Sequence, residues 1–292
     1  MDDFFIFVNI LIQMKMKKYT TILLLVLVTT IALAQKKEKV KGSKTVTTEL
    51  KEVERFNALE VADNLEVSLE RGEKNELKIE ADDNLHEIIS VDVRDNILRI
   101  FTSKEAVNYK KLMVRITYTK DFNSVTAKDN TVINAIQELQ LNDITFKTQN
   151  YSQLYLNVNA KNFILQSDDK SKIELNLKSE NATIELSKNA TLKALINSVD
   201  LKCDVYEKAN AALEGDVTNA VIRMDNNSVL TGNKLTVKNM DLTTESYSNC
   251  SIFAETTISI DAKEKSEIQL LGNPKIEIRQ FADEAKLLKK LK

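Results

Sequence analysis

The sequence predicts an all-β chain folded as a single-domain parallel β-helix, a solenoid whose coils of about nineteen residues stack on one another. Three observations carry this. A serine or alanine returns at Ser152, Ser171, Ala190, Ala209, Ser228, Ser248 and Ser266, in steps of 19, 19, 19, 19, 20 and 18 residues. Like residues stand in columns around it: six positions before come Phe146, Leu165, Ile184, Cys203, Ile222, Leu242 and Ile260, and two after come Leu154, Ile173, Leu192, Ala211, Leu230, Cys250 and Ile268. A fixed period near twenty marks coils that cannot bury their apolar face alone and must stack. Within each coil the apolar residues alternate, as in Phe163 and Leu165, then Ile173, Leu175 and Leu177, the period of half-buried strands. Two such runs leave no room in nineteen residues for a helix and its return. Each strand must therefore pair with its equivalent one coil away, at ~4.8 Å.

Taken in order, residues 1–34 read as a secretory signal peptide. Lys15, Lys17 and Lys18 precede the apolar run from Ile22 to Val28, and Ala32-Leu33-Ala34 offers a cleavage site before Gln35. The apolar stretch from Phe4 to Ile12 is too short to span a bilayer, so translation is expected to start at Met14 or Met16; a real N-terminal anchor is the rival reading. Residues 35–52, polar and Lys-rich, are expected to be a disordered lead-in. The β-helix domain is assigned to 53–280. Its part 53–130 is less regular, with Leu59 and Val61, then Leu65, Val67 and Leu69, alternating across Ala62-Asp63-Asn64, and Arg94-Asp95-Asn96 as a hairpin-like turn. It reads as longer coils of the same solenoid, the alternative being a separate small β-domain ending near Lys128.

Regular coils fill 131–280. The Ser/Ala column marks a corner where the chain bends inward and a larger side chain would meet the coils above and below. The chain has only five glycines, so the turns fall to Asn and Asp (Asn150, Asp169, Asn189, Asn227), which tolerate left-handed backbone. A single proline, Pro274, leaves the ladders with all their donors until the last coil. In 281–292, Phe281, Ala285, Leu288 and Leu291 share a face at helical spacing. This predicts a short C-terminal helix capping the open end of the coils; attachment to a surface through the same basic amphipathic tail is the functional rival.

The search for chemistry is mostly negative. Net charge is −2, with 41 basic and 43 acidic residues, and no basic face of the kind nucleic acid demands is evident. Cys203 and Cys250 occupy inward columns two coils apart, ~10 Å along the axis, beyond the ~7 Å that a disulfide allows between Cα atoms; they read as two buried thiols. The single histidine, His86, is expected on a surface turn. There is no G-x-S-x-G elbow, phosphate-cradling glycine loop or Cys-x-x-Cys, and no catalytic residue, cofactor or metal site is assigned. Asp168, Asp169, Asp204 and Asp225 come from successive coils but stand in different columns, which argues against one active site. Tyr151, Tyr155, Tyr206, Tyr247 and Phe253 are scattered, and Tyr151 and Tyr247 lie too far apart to form one platform for a sugar.

The run Phe56-Asn57-Ala58-Leu59-Glu60-Val61-Ala62-Asp63-Asn64-Leu65-Glu66-Val67, followed by Leu77-Lys78-Ile79-Glu80-Ala81, Asp95-Asn96-Ile97-Leu98-Arg99-Ile100 and the terminal Leu271-Gly272-Asn273-Pro274, resembles the family described as putative auto-transporter adhesin, head GIN domain. The resemblance covers roughly residues 53–279. It implies an exported protein of a kind common in Bacteroidota, a right-handed parallel β-helix, and no catalytic residues to carry over. No membrane barrel follows the solenoid here, so self-export by that route is not supported. The leading functional reading is an exported, non-enzymatic module, periplasmic, outer-surface or secreted, with no stable membrane span in the mature chain. It would bind a glycan or an envelope protein through its extended faces. The alternatives are an envelope-sensing or scaffold module of toast-rack type and a carbohydrate-active enzyme.

Overall fold

Apolar columns in the sequence become ladders in the structure. A computed structural model describes residues 37–290; the expected signal peptide and the Phe4–Ile12 stretch lie outside the described residues. The solenoid lies within the compact unit that begins at Val40. Its regular part consists of β11 (Val132–Thr148), β12 (Gln153–Ser167), β13 (Lys172–Leu186), β14 (Thr191–Val205), β15 (Asn210–Met224), β16 (Val229–Thr244) and β17 (Asn249–Ala262). Each is one long strand that carries both apolar runs of a coil. All pair in parallel at a one-coil offset, so that Leu154, Ile173, Leu192, Ala211, Leu230, Cys250 and Ile268 stand in one register row. Every residue of that row and of the Phe146–Ile260 row is buried.

Two bends per coil close the loop. One is the turn before the Ser/Ala column, whose two central residues both have positive φ, as in Asp169 (48°) with Lys170 (63°) and Glu207 (51°) with Lys208 (64°). This is the type I′ geometry that usually selects Asn-Gly, yet the chain places Lys, Glu, Ser and Tyr there as well. A left-handed non-glycine residue costs ~1–2 kcal/mol; stacking offsets it. In the five turns from Ser171 to Ser248 the corner N–H closes back, as from Ala190 to Ser187 O (2.9 Å). The turn residue before the corner donates forward to the next coil: Lys170 to Lys188 O, Asn189 to Glu207 O and Lys208 to Asn226 O, at 2.9–3.0 Å. The second bend lies at Lys161, Glu180, Val199 and Thr218, where pairing lapses for a single residue while the ladder continues on both sides.

The N-terminal end is irregular. β3 (Ala58–Val61), β4 (Glu66–Arg71), β7 (Ile97–Thr102), β9 (Leu112–Tyr118) and β10 (Ser124–Ala127) continue the parallel rows, β3 between β7 and β10, β4 between β9 and β11. Beyond them the direction reverses. β5 (Glu76–Asp82) runs antiparallel to β9, β2 (Val46–Glu52) to β5, and β6 (Ile89–Arg94) to β7. A 3-10 turn, Asp83–Ile88, buries Leu85 and Ile88 over this end. Below it Tyr118 stacks on Phe122 (centroids 4.9 Å apart), and Phe56 meets Phe122 edge-on at 6.2 Å.

Two expectations are corrected. The lead-in assigned to 35–52 as disordered carries β1 (Lys39–Lys41) and β2. Its composition hid this because the groups that fasten it lie far along the chain. The buried Asp82 carboxylate accepts the N–H groups of Lys44 (2.8 Å), Lys110 (3.1 Å) and Lys111 (3.0 Å). The Asn84 side chain accepts from Ser43 N and donates to Lys41 O, both at 2.9 Å. Gly42 donates to Val107 O in β8 (Glu105–Val107); a Cβ there would stand 2.3 Å from Asp82 Oδ2.

The C-terminal helix expected over 281–292 is absent among the described residues. β18 (Glu267–Leu271) and β19 (Lys275–Phe281) continue the rows, a turn with Asp283 at φ 58° follows, and β20 (Lys286–Lys289) pairs in parallel with β18. Ala285 falls nineteen residues after Ser266 and repeats the corner, its N–H reaching Ala282 O. The helical spacing of Phe281, Ala285 and Leu288 was a coincidence of two periods. A bare edge on the preceding coil offers backbone partners to Lys286–Lys289, and a short helix alone at the surface is marginal in water.

Candidate functional site

Inward columns spend their side chains on the core, so any binding chemistry must come from outward positions. Three and five residues past each corner, the outward residues of β11 to β15 line a shallow groove of about 980 Å³. Leu156, Leu175 and Ala194 alternate with these residues and turn into the core, almost wholly buried. One wall carries Asn134, Tyr155, Glu174 and Lys193; the other carries Ile136, Asn157, Asn176, Leu195 and Glu214. It crosses five coils, hence about 19 Å at the strand spacing. Ile136 is 77% exposed and Leu195 46%. Between them runs a short amide ladder, Asn176 Nδ2 donating to Asn157 Oδ1 (3.0 Å) and Asn157 Nδ2 to Ile136 O (3.4 Å). The Tyr155 hydroxyl donates to Gln153 Oε1 (3.1 Å), which holds its ring against the wall.

A longer ladder edges the second bend. Asn162 donates to Asp143, Asn181 to Asn162, Asn219 to Asp200, Asn239 to Asn219, and Thr257 to Asn239, at 2.6–3.1 Å. These amides satisfy one another along the axis and stiffen the corner.

The carboxylates singled out from sequence do not converge. Asp168 and Asp169 share Lys188 (3.4 and 3.8 Å), Asp204 pairs with Lys202 (3.2 Å), and Asp225 accepts the Asn226 N–H of its own turn. Burial, then the adjacent Asp169, pushes the Asp168 carboxyl above its ordinary value. Tyr206 lies between these coils and bonds to Glu185; burial and that carboxylate push its phenol up to about 12. Among the described residues no three His, Cys, Asp or Glu side chains are grouped to hold a metal. His86 sits on the 3-10 turn with its side chain 13% exposed, Nδ1 3.2 Å from Glu49 and Nε2 3.0 Å from Thr47 Oγ1. It holds strand β2. Cys203 and Cys250 are free and buried, and burial pushes both thiols up to about 12. Tyr151 and Tyr247 project from their turns, with Lys170 Nζ 5.4 Å and Lys265 Nζ 5.6 Å from the ring centroids.

The corner residues Ser152, Ser171, Ala190, Ala209, Ser228, Ser248 and Ser266 are all buried. Sequence reasoning missed the groove. The available signal was apolar Ile136 and Leu195 at outward positions otherwise filled by polar residues, with Tyr155 between them in the next column.

Comparison with known proteins agrees with the fold. No curated protein sequence matches. A putative adhesin of Parabacteroides merdae superposes with a TM-score of 0.66 at 16% identity, over 87% of this chain and 99% of that one. A putative adhesin of Parabacteroides distasonis gives 0.65 at 16% identity over 87% and 100%. A protein of the same organism named a putative lipid binding protein gives 0.60 at 13% identity over 87% and 100%. At these identities the likeness is one of fold. Among the described residues no helix is long and apolar enough to cross a membrane. The family model described as putative auto-transporter adhesin, head GIN domain, matches residues 55–194 and 174–274, and the chain belongs to that family.

Proposed function

We propose that this chain is an exported, non-enzymatic binding module that holds polysaccharide of the cell envelope or its surroundings along the β11–β15 groove. The observation that carries this reading is the groove's composition: exposed Ile136 and Leu195, one tyrosine ring and a short ladder of side-chain amides at the coil spacing. A sugar polymer presents apolar ring faces to the first two and hydroxyls to the third. Asp168, Asp204 and Asp225, each engaged separately, support binding without hydrolysis. Export rests on the n-region, apolar core and Ala-x-Ala site of residues 15–34.

The test is binding of purified envelope polysaccharide to the wild type and to Tyr155→Ala and Asn176→Ala variants. Each variant is expected to weaken binding about fivefold, in line with ~1 kcal/mol for a lost stacking or hydrogen-bonding contact. A second reading is favoured by exposed Ile136 and Leu195 and by the neighbour named a putative lipid binding protein: an acyl chain lying along the same groove. Vesicle binding that falls in Leu195→Asp and is unaffected by Asn176→Ala would select it over the first. An N-terminus other than Gln35 in the protein recovered outside the cytoplasm would contradict the cleavage site.

A further inference from the structure

A solenoid has two ends, and those of this one differ. The N-terminal end is covered by antiparallel strands and the Asp83–Ile88 turn. At the other end, among the described residues, β19 pairs only with β17, and β20 only with β18. All seven residues of β19 are exposed. Ile276, Ile278 and Phe281 continue the rows of Ile258, Ile260 and Ala262, which are buried to within 1%. The same side chains are 41, 52 and 43% exposed at the end. One more layer of strands would bury them as their neighbours are buried.

We propose that this layer is the same end of a second copy, giving an end-to-end dimer with two-fold symmetry. The N-terminal edge strand β2 sets exposed Val46 and Leu50 among Thr, Glu and Lys, a poorer match for Ile276, Ile278 and Phe281 than a second β19; a surface paired with its own copy gives an isologous contact. The charges agree. Antiparallel pairing of β19 with its copy about Ile278 sets Glu277 opposite Arg279 of the other chain, twice. Opposite charges facing across strands stabilise such a pair, and Arg279 is already held in place by Asp241 and Asp261. The joint would remove exposed isoleucine, phenylalanine and a bare strand edge together, the features that otherwise drive open-ended association.

Sedimentation of the full chain over a concentration series tests this. A monomer–dimer equilibrium is expected, weakened at least tenfold in Ile278→Lys and unchanged in Leu50→Lys, which lies on β2 at the opposite end. Far-UV circular dichroism checks that the variants fold. Should Ile278→Lys fail to fold, Ile278→Cys replaces it: the two-fold places the two thiols together, so oxidation should give a covalent dimer. A monomer at all concentrations, a dimer indifferent to Ile278→Lys, no cross-link in Ile278→Cys, or loss of association in Leu50→Lys would each overturn the proposal.

Discussion

The corner column contains an internal contrast that mutation can read. Ser152 Oγ donates to Gln149 O at 2.7 Å, so its hydroxyl is buried and satisfied. The hydroxyls of Ser171, Ser228 and Ser248 are buried without a partner. Removing a satisfied hydroxyl loses about 1 kcal/mol, whereas leaving a buried one unpaired costs about 1–3 kcal/mol. Ser→Ala should therefore have opposite signs within one column. Ser152→Ala is expected to destabilise by about 1 kcal/mol and Ser171→Ala to stabilise by about 1 kcal/mol. Ala190 and Ala209, already in the column and fully buried, show that alanine fills the space. For a chain of this size 1 kcal/mol moves Tm by about 2–4 °C, within reach of differential scanning calorimetry. Ser228→Ala and Ser248→Ala should follow Ser171→Ala. The complementary change, Ala190→Leu, inserts a side chain between Ser171 and Ala209 and should cost about 1–3 kcal/mol or more through overpacking. A fall in Tm for Ser171→Ala as large as that for Ser152→Ala would refute the hydroxyl assignment, and a stable Ala190→Leu would refute the steric account of the column.

Gly42→Ala should free the lead-in, because its Cβ would meet Asp82 Oδ2 and Tyr109 Cα at 2.3 and 2.7 Å; hydrogen exchange of 43–52 should rise while the coils stay protected. Asp82 couples the same segment to pH. Burial raises its pKa, but the amides of Lys44, Lys111 and Lys110 outweigh that and hold it below the ordinary value. A depressed folded pKa contributes stability that is present above the unfolded value of ~3.9 and lost as pH falls through the folded one. Proteolysis at Lys44 by an acid-active protease should therefore increase only below about pH 4, and an Asp82→Asn variant showing the same pH profile would exclude this carboxylate. Cys203 and Cys250 should react with a thiol reagent only after unfolding, given their burial and raised pKa; labelling of the native protein would contradict the row assignment. Gly215→Ala should cost more than an ordinary helix or strand glycine, since φ is 113° and the new Cβ would lie 2.2 Å from Ile196 O; an unchanged urea midpoint would show that the coil relaxes there.

What the sequence determined by itself is the repeat. Period, columns and corners were legible because stacking forces each inward position to face its own equivalent, so a single restraint is written seven times from Ser152 to Ser266. Tertiary structure decided whatever depends on one contact made once. Asp82 fastens a lead-in some forty residues away, and nothing in the composition of 35–52 announces that partner. Residues 281–290 satisfy a helical and a solenoid period together, and the unpaired edge of β18 selected the strand. The groove arises where outward side chains of five coils are brought side by side. Outward positions are restrained only where amides form ladders, so Ile136, Tyr155 and Leu195 leave no periodic trace until the coils are superposed.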